Sequence, residues 1–312
     1  MTRVSIIVPA FRAEPFLAET VASVFAQTWT DWELLIAEDG SPDGTLAIAR
    51  NAAVRDPARV RVLRHPNGAN RGVSATRNLA LRHASGDLVA FLDADDVWLP
   101  QKLELQVAAM RAPQNELCWA RASYIDAQSQ PTTFGVPPSA VLGSGPRAAG
   151  DLYDGFLQRD VSIPTLTVMA RTQTVLDAGG FPEGMRSQTE DLVTWARVLR
   201  RGSGHFVDEV LARYRVHPSS WTARQTVLTQ AEADLEALLL LLRQDGCDGT
   251  LALALLREGR RSLSFDMLSW PARLDRFSSV LRELATHGGL TPTLVARAAQ
   301  RRLERTRRRR GA

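Results

Sequence analysis

The chain of 312 residues is 45% apolar, carries a net charge of +4 and has two cysteines, Cys118 and Cys247, set far apart. That is material for one large or two modest domains with a real core, and it excludes a disulfide framework or a cysteine-based zinc site. The charge is uneven: residues 297–312 hold eight arginines and one glutamate, net +7, which leaves −3 for the rest.

Met1-Thr2-Arg3 leads at once into Val4-Ser5-Ile6-Ile7-Val8, too short an apolar run for a secretory signal. The longest later run, Ala237–Leu242, is far below the roughly 20 residues that cross a bilayer. The expectation is a cytoplasmic protein without a membrane span. Residues 297–312 suit either peripheral contact with an anionic membrane or a solvated end. No aromatic platform or nucleic-acid module accompanies them, so nucleic acid is not an expected partner.

In chain order, a strand at Val4–Val8 stops at Pro9-Ala10-Phe11-Arg12. A helix over about 15–27 follows, with Pro15 in its first turn and Phe16, Leu17, Val21, Val24 and Phe25 on one stripe. Trp32–Ala37 is a second strand, ending in the acidic, turn-rich Glu38-Asp39-Gly40-Ser41-Pro42-Asp43-Gly44-Thr45, from which a helix runs over 46–54. Val60–Leu63 gives a third strand and Val73–His83 a third helix. The fourth strand, Leu88–Leu92, ends in Asp93-Ala94-Asp95-Asp96 and precedes a helix over about 100–110. Four βα units in a row predict an α/β fold with a mostly parallel, doubly wound sheet.

Regularity loosens beyond that point. Leu117–Ile125, Ile163–Ala170 and Phe206–Val216 read as strands, and Thr189-Glu190-Asp191-Leu192-Val193-Thr194-Trp195 opens a helix to about 201. Residues 127–147, rich in Pro, Gly, Ser and Thr, are expected as a loop over a site. From 222 onward the pattern is helical, over about 223–244, 250–268, 271–286 and 291–309, with no catalytic spacing. The expected division is a domain over 1–221 and a helical appendage over 222–312.

Three carboxylates within four residues at a strand end repel one another unless a cation sits among them. Ligands of open α/β sheets bind beyond the carboxyl ends of strands, and hard oxygen donors suit Mg²⁺ or Mn²⁺ bridging to substrate phosphates. The alternative is an acidic turn with Asp96 capping the next helix. The loop Asn70-Arg71-Gly72-Val73-Ser74-Ala75-Thr76-Arg77-Asn78 brings arginines to a helix start, where a diphosphate is favoured. On the residues alone, Glu190 and Asp191 also fit a helix-dipole role, His217 a structural one, Arg77 a surface one, and Trp98 and Trp195 core packing.

Taken as a series over about residues 3–220, Val4–Phe11, Glu33–Thr45, Asn70–Asn78, Gly86–Asp96 and Glu190-Asp191 resemble the family 2 glycosyltransferases, inverting enzymes of the glycosyltransferase A fold that use nucleotide-sugar donors. The resemblance implies that Pro9, Ala10 and Phe11 shape a nucleoside pocket and that Asp39 hydrogen-bonds the base, in a chain with Glu38-Asp39 where the family usually has two aspartates. It places Glu14 near the nucleotide and Arg71 and Arg77 near base and diphosphate. Asp93 and Asp95 match the family's Asp-x-Asp signature, Asp95 implied as ligand of Mn²⁺ or Mg²⁺, Asp93 reaching the ribose or donor sugar, and Asp96 supporting them. Asp191 is the implied general base, and His217 matches a position that assists the metal or diphosphate. The implied donor is a nucleotide-diphosphate sugar, a UDP-sugar foremost, and the acceptor a glycan, lipid-linked or protein-linked hydroxyl. The Gln-x-x-Arg-Trp segment and membrane helices of processive members are absent from the sequence, which points to single addition. A sugar-1-phosphate nucleotidyltransferase would show a Gly-rich basic loop after the first strand, which Pro9–Glu14 lacks; a non-catalytic nucleotide-sugar-binding scaffold is the third reading.

Overall fold

A computed structural model describes residues 2–133, 145–185, 189–220, 227–262 and 270–287. Its first half is β1 (Val4–Ala10), α1 (Leu17–Phe25), β2 (Trp32–Glu38), α2 (Thr45–Arg55), β3 (Val60–Arg64), α3 (Val73–Leu81), β4 (Leu88–Phe91), β5 (Val97–Trp98) and α4 (Lys102–Ala109). There follow β6 (Asn115–Ile125), β7 (Pro131–Thr132), β8 (Gly145–Arg147), α5 (Ala149–Leu157), β9 (Met169–Arg171), α6 (Thr172–Asp177), α7 (Glu190–Leu199) and β10 (Ser203–Arg215). The helices α8 (Val227–Asp245), α9 (Gly249–Ser262) and α10 (Trp270–Thr286) come last. The expected helix over 291–309, the basic residues 297–312 and the centre of the 127–147 loop lie outside the described residues.

The sheet runs β3-β2-β1-β4-β9-β6-β10-β5. Its β3-β2-β1-β4 portion is parallel throughout; beyond β4 the pairing is mixed, with β9 antiparallel to both neighbours and β10 parallel to β6. Because β1 leads to β2 on one side and pairs with β4 on the other, the direction of winding reverses between β1 and β4, the place where an open α/β sheet leaves a crevice. Pro9 sits just there. β1 pairs with β4 only over Val4–Ile7, so a residue without an N–H costs no ladder bond on that side.

Alternation along the parallel strands divides the core. Val4, Ile6, Val8, Leu34 and Ile36 face Leu17, Val21 and Val24 of α1, Ala49 and Ala52 of α2, and Leu103 and Val107 of α4. On the opposite face Phe91 meets Phe181 and Trp195 edge-on, at 5.3 and 5.4 Å between ring centroids. Trp98 is buried as well, its indole N–H donating to the Leu166 carbonyl at 2.9 Å; both tryptophans are core residues.

The strand expected at Ile163–Ala170 differs. Pro164 starts a 3₁₀ turn at Thr165–Thr167, closed by the Thr167 hydroxyl on the Pro164 carbonyl at 2.8 Å, and only Met169–Arg171 pairs as strand. The apolar, β-branched run is satisfied by burial alone.

A lysine lies inside this core. Lys102 is fully buried, donates to Gln106 Oε1 at 2.5 Å and rests 4.0 Å from the Trp98 ring; burial pushes its pKa down to about 7. Below that pH the folded state must hold the buried charge, and the penalty is fully present. Between about 7 and the unfolded value near 10.4 the unfolded chain binds the extra proton, so stability rises with pH. Lys102→Met is therefore expected to stabilise the protein by about 1–3 kcal/mol at pH 6, with the gain shrinking by pH 9. Urea denaturation at the two pH values checks this; equal or lower stability of the variant at pH 6 contradicts it.

The chain divides into two compact units. The first comprises Met1–Tyr153, Val161–Glu183 and Thr194–Arg224, and carries the sheet; the second comprises Asp154–Asp160, Gly184–Val193 and Gln225 onward. Within the second, the Thr250 hydroxyl donates to the Asp154 carboxylate, Arg159 pairs with Asp234, and the Thr189 hydroxyl donates to the Ala233 carbonyl at 3.0 Å. Among the described residues, no helix is long and apolar enough to cross a membrane.

Candidate active site

The carboxyl ends of β1, β2 and β4 carry Phe11, Glu38-Asp39 and Asp93–Asp96 to one rim of the sheet. Beyond β2, Glu38 is fully buried, accepts from the Ser41 N–H, and accepts from Arg64 Nε at 2.7 Å. Burial would raise its pKa, but the Ser41 N–H and hydroxyl together with Arg64 hold it below the usual carboxylate value. The longer glutamate thus reaches back to Arg64 and shapes the turn without entering the crevice. Asp39 is also buried; its two oxygens accept from the backbone N–H groups of Arg71 and Gly72, at 2.7 and 2.9 Å, while Asn70 Nδ2 donates to its carbonyl at 3.0 Å. Gly40 closes this junction at φ +73°, and a Cβ there would stand 2.4 Å from the Gly68 carbonyl oxygen, so glycine is required twice over. Asp39 and Arg71 are therefore joined through the backbone. His65 extends the cluster, 3.2 Å from the Thr76 hydroxyl and 3.8 Å from Asp39.

Glu14, implied near the nucleotide, is tied to the loop after β2. Its Oε2 accepts from the Gly44 N–H at 2.8 Å, and Asp43 bonds the Thr45 N–H and hydroxyl at 3.2 and 2.6 Å. Both carboxylates serve the N-terminus of α2, which favours negative charge. Phe11 is exposed just beyond the end of β1.

Beyond β4, the Asp96 N–H closes a turn on the Asp93 carbonyl at 3.1 Å, and the Thr20 hydroxyl of α1 lies 3.0 and 2.8 Å from the Ala94 and Asp96 carbonyls. Asp96 caps no helix: β5 follows it, and α4 starts only at Lys102. Its Oδ1 accepts the Arg215 N–H at 2.7 Å, and its Oδ2 has no partner among the described residues. Burial, then the charges of Asp95 and Asp93, raise its pKa well above the usual value. Asp93 accepts from Arg77 Nη2 at 2.7 Å. Arg77 is itself buried, with its guanidinium 5.2 Å from the Phe181 ring; it holds Asp93 rather than lying on an open surface. The next residue, Asn78, brackets Phe181 by accepting its N–H and donating to its carbonyl, both at 2.8 Å.

Asp95 and His217 meet. His217 Nε2 lies 3.0 Å from Asp95 Oδ2, Nδ1 lies 2.7 Å from the Ser219 hydroxyl, and the Phe16 ring packs on the imidazole at 4.7 Å between centroids. Among the described residues no group of three His, Cys, Asp or Glu is arranged for a metal ion. Two adjacent donors nevertheless fit one that also binds a substrate diphosphate: ligands near 2.1 Å in an octahedron stand about 3 Å from their neighbours, and Mg²⁺ is commonly held by one or two side chains plus phosphates. Asp191 is in the second unit, in the first turn of α7, where its Oδ1 accepts the Leu192 N–H at 2.8 Å.

Phe16, expected only on the apolar stripe of the first helix, stands beside this site, and so do Glu19, His65, Ser129 and Arg215, for which the sequence suggested no role. Only Arg215 left a trace: in Arg215-Val216-His217 the period of two puts arginine and histidine on the same side of an extended chain.

The family model of Glycosyl transferase family 2 matches residues 5–143. Over 216 residues, 68% of this chain and 79% of its counterpart, the sequence is 32% identical to TuaG of Bacillus subtilis (strain 168), provisionally named a teichuronic acid biosynthesis glycosyltransferase. The chain belongs to glycosyltransferase family 2. As a family 2 member it is also 29% identical, over 70% of its own length and 78% of the other protein, to the Escherichia coli enzyme WfgD, UDP-Glc:alpha-D-GlcNAc-diphosphoundecaprenol beta-1,3-glucosyltransferase. The fold matches Staphylococcus aureus TarS residues 1–349, solved with UDP-GlcNAc, at a TM-score of 0.61 and 20% identity, over 91% of this chain and 73% of that one. The mannosyltransferase PcManGT from Pyrobaculum calidifontis, solved with GDP-Man and Mn²⁺, gives 0.62 at 18% identity, over 97% and 80%. The glycosyltransferase A fold of this family 2 chain accounts for the reversal of winding between β1 and β4 and for the acidic turn beside it.

Proposed function

We propose that this family 2 glycosyltransferase transfers a sugar, with inversion, from a nucleotide-diphosphate donor to a hydroxyl of a glycan or lipid-linked acceptor, with help from a divalent cation, in the synthesis of a cell-surface polysaccharide or glycoconjugate. The observation that carries the reading is the Asp95–His217 pair at 3.0 Å beyond the end of β4, beside an Asp93 held by the buried Arg77. UDP-Glc in the name of WfgD and UDP-GlcNAc in the TarS complex favour a UDP-sugar.

In this account Pro9, Ala10 and Phe11 form one wall of the nucleoside pocket and Asp39, with Arg71, its floor. Asp39, already pinned by two N–H groups, has lone pairs left for a base N–H and needs no rearrangement to offer them. Asp93, fixed by Arg77, receives hydroxyls of the ribose or donor sugar. Asp95 and His217 would hold Mg²⁺ or Mn²⁺, which when bound neutralises charge growing on the leaving diphosphate. Asp191 is assigned as the base that takes the proton from the acceptor hydroxyl as it attacks the anomeric carbon opposite the leaving group. One displacement on a carbon of oxocarbenium character inverts it.

Stereochemistry tests this reading. With an α-linked UDP-sugar and no acceptor, slow hydrolysis should release the β-anomer first, seen by proton NMR before mutarotation; the α-anomer as first product contradicts inversion. A membrane role for residues 297–312 is a further part of the proposal. Deleting them should weaken co-sedimentation with phosphatidylserine vesicles and leave binding to neutral vesicles unchanged; equal sedimentation of both forms contradicts it.

A further inference from the structure

Arg215 ends β10 with its side chain fully buried, and its bonds reach three separate segments of the chain. Its backbone N–H donates to Asp96 Oδ1 at 2.7 Å, and its Nε to the Asp95 carbonyl at 2.6 Å. Nη1 donates to the Asp126 carbonyl at 3.0 Å and to the Ser129 hydroxyl at 2.8 Å, and Nη2 to Glu19 Oε2 at 2.6 Å. Glu19 also accepts from the Ser129 hydroxyl, at 2.8 Å to the same oxygen. The guanidinium lies 5.0 Å from the Phe16 ring, whose centroid is also 4.7 Å from that of His217. Only a planar group with donors pointing several ways can make these bonds together; a lysine ammonium, a point donor on a flexible stem, cannot.

The turn that Arg215 grips is already built. Asp126 Oδ1 accepts the N–H groups of Gln128 and Gln130, both at 2.9 Å, and Ser129 sits at φ 62°. Arg215 adds nothing the turn needs for its own shape. What it adds is a tie from that turn and from α1 to the backbone of Asp95, while Phe16 sets His217. A fully buried guanidinium is costly unless its hydrogen bonds are made; here one of them is on the Asp95 carbonyl, while Arg215 itself stands two residues before His217.

We infer that Arg215, backed by Glu19 and Phe16, is the positioning residue that keeps Asp95 and His217 at the spacing a divalent cation requires. The inference rests on the proposed donor chemistry. It assigns Arg215 no contact with the donor, the cation or the acceptor. Losing Arg215 should let the Asp95 backbone and His217 drift independently, so that binding of the ion costs the ordering of two segments.

The test is Mn²⁺ binding to the full chain with saturating UDP, followed by the electron paramagnetic resonance of free Mn²⁺, in wild type, Arg215→Met, Arg215→Lys and Glu19→Gln. Arg215→Met should bind Mn²⁺ at least tenfold more weakly, Arg215→Lys should recover little of this, and Glu19→Gln, which spares the bonds to Asp95 and Asp126, should lose about threefold. Activity of Arg215→Met should be partly restored by excess Mn²⁺, which damage to the fold as a whole would not permit. Amide hydrogen exchange should quicken in residues 93–98 and 126–130 with the rest of the sheet unchanged. If Arg215→Met does not fold, Glu19→Gln decides: unchanged Mn²⁺ affinity and unchanged exchange at 126–130 overturn the inference. Wild type that binds Mn²⁺ while folded Arg215→Met binds it equally well overturns the inference alone; wild type that takes up no Mn²⁺ with any nucleoside diphosphate overturns the donor chemistry and this role with it.

Discussion

Asp191→Asn is expected to lower kcat by about 10²–10⁴-fold, the usual worth of a placed general base, and to leave the affinity for nucleoside diphosphate within twofold. The substitution is informative because asparagine keeps an oxygen that can accept the Leu192 N–H, so the start of α7 is preserved while the basic oxygen is removed. A helix-capping role predicts a small loss of stability and little change in rate. Initial rates at saturating donor, with Tm measured alongside, separate the two readings; a wild-type kcat ends the assignment of Asp191 as base.

Asp95→Asn should have an effect as large for a different reason. It removes the only anionic donor of the Asp95–His217 pair, and charge stabilisation by a bound ion is worth several kcal/mol of barrier. At about 1.4 kcal/mol per tenfold, kcat/KM should fall by about three orders of magnitude. Nucleotide affinity without metal should stay unchanged, while the gain in affinity on adding Mn²⁺ should vanish. Calorimetric titration of UDP with and without Mn²⁺ reads both quantities. An undiminished response to Mn²⁺ in the variant places the ion elsewhere.

The parts of this site that the sequence made legible are those written in local code. The apolar run of β4 and the carboxylates that follow occupy consecutive residues, and so do the Glu38–Thr45 turn and the helix start around Arg71; each is fixed by alternation, turn chemistry or helix signals within a few positions. What escaped depends on partners far away in the chain. Glu19 lies 196 residues from Arg215, so no window on the sequence contains the pair; Asp95 and His217, 122 residues apart, were linked only through the family resemblance. β5, only two residues long, exists because Val97 and Trp98 pair with Arg213 and Ala212, and its own propensity is silent. The reading of Asp96 as a helix cap failed for the same reason: a two-residue strand separates it from α4. The bond of Glu14 to the Gly44 N–H was likewise beyond local reading, because the two residues are 30 positions apart.

The central claim is that the crevice between β1 and β4 binds a nucleoside diphosphate together with a divalent ion. Thermal unfolding of the full chain with UDP, GDP, dTDP or CMP, each with and without Mn²⁺, tests it directly. A ligand bound to the folded state alone at a hundred times its Kd stabilises by about 2.7 kcal/mol. The account predicts a rise in Tm with one nucleoside diphosphate, UDP foremost, that largely disappears with EDTA and in Asp95→Asn. A Tm unmoved by every nucleotide in the presence of Mn²⁺, or a shift of equal size with and without the ion, would contradict it.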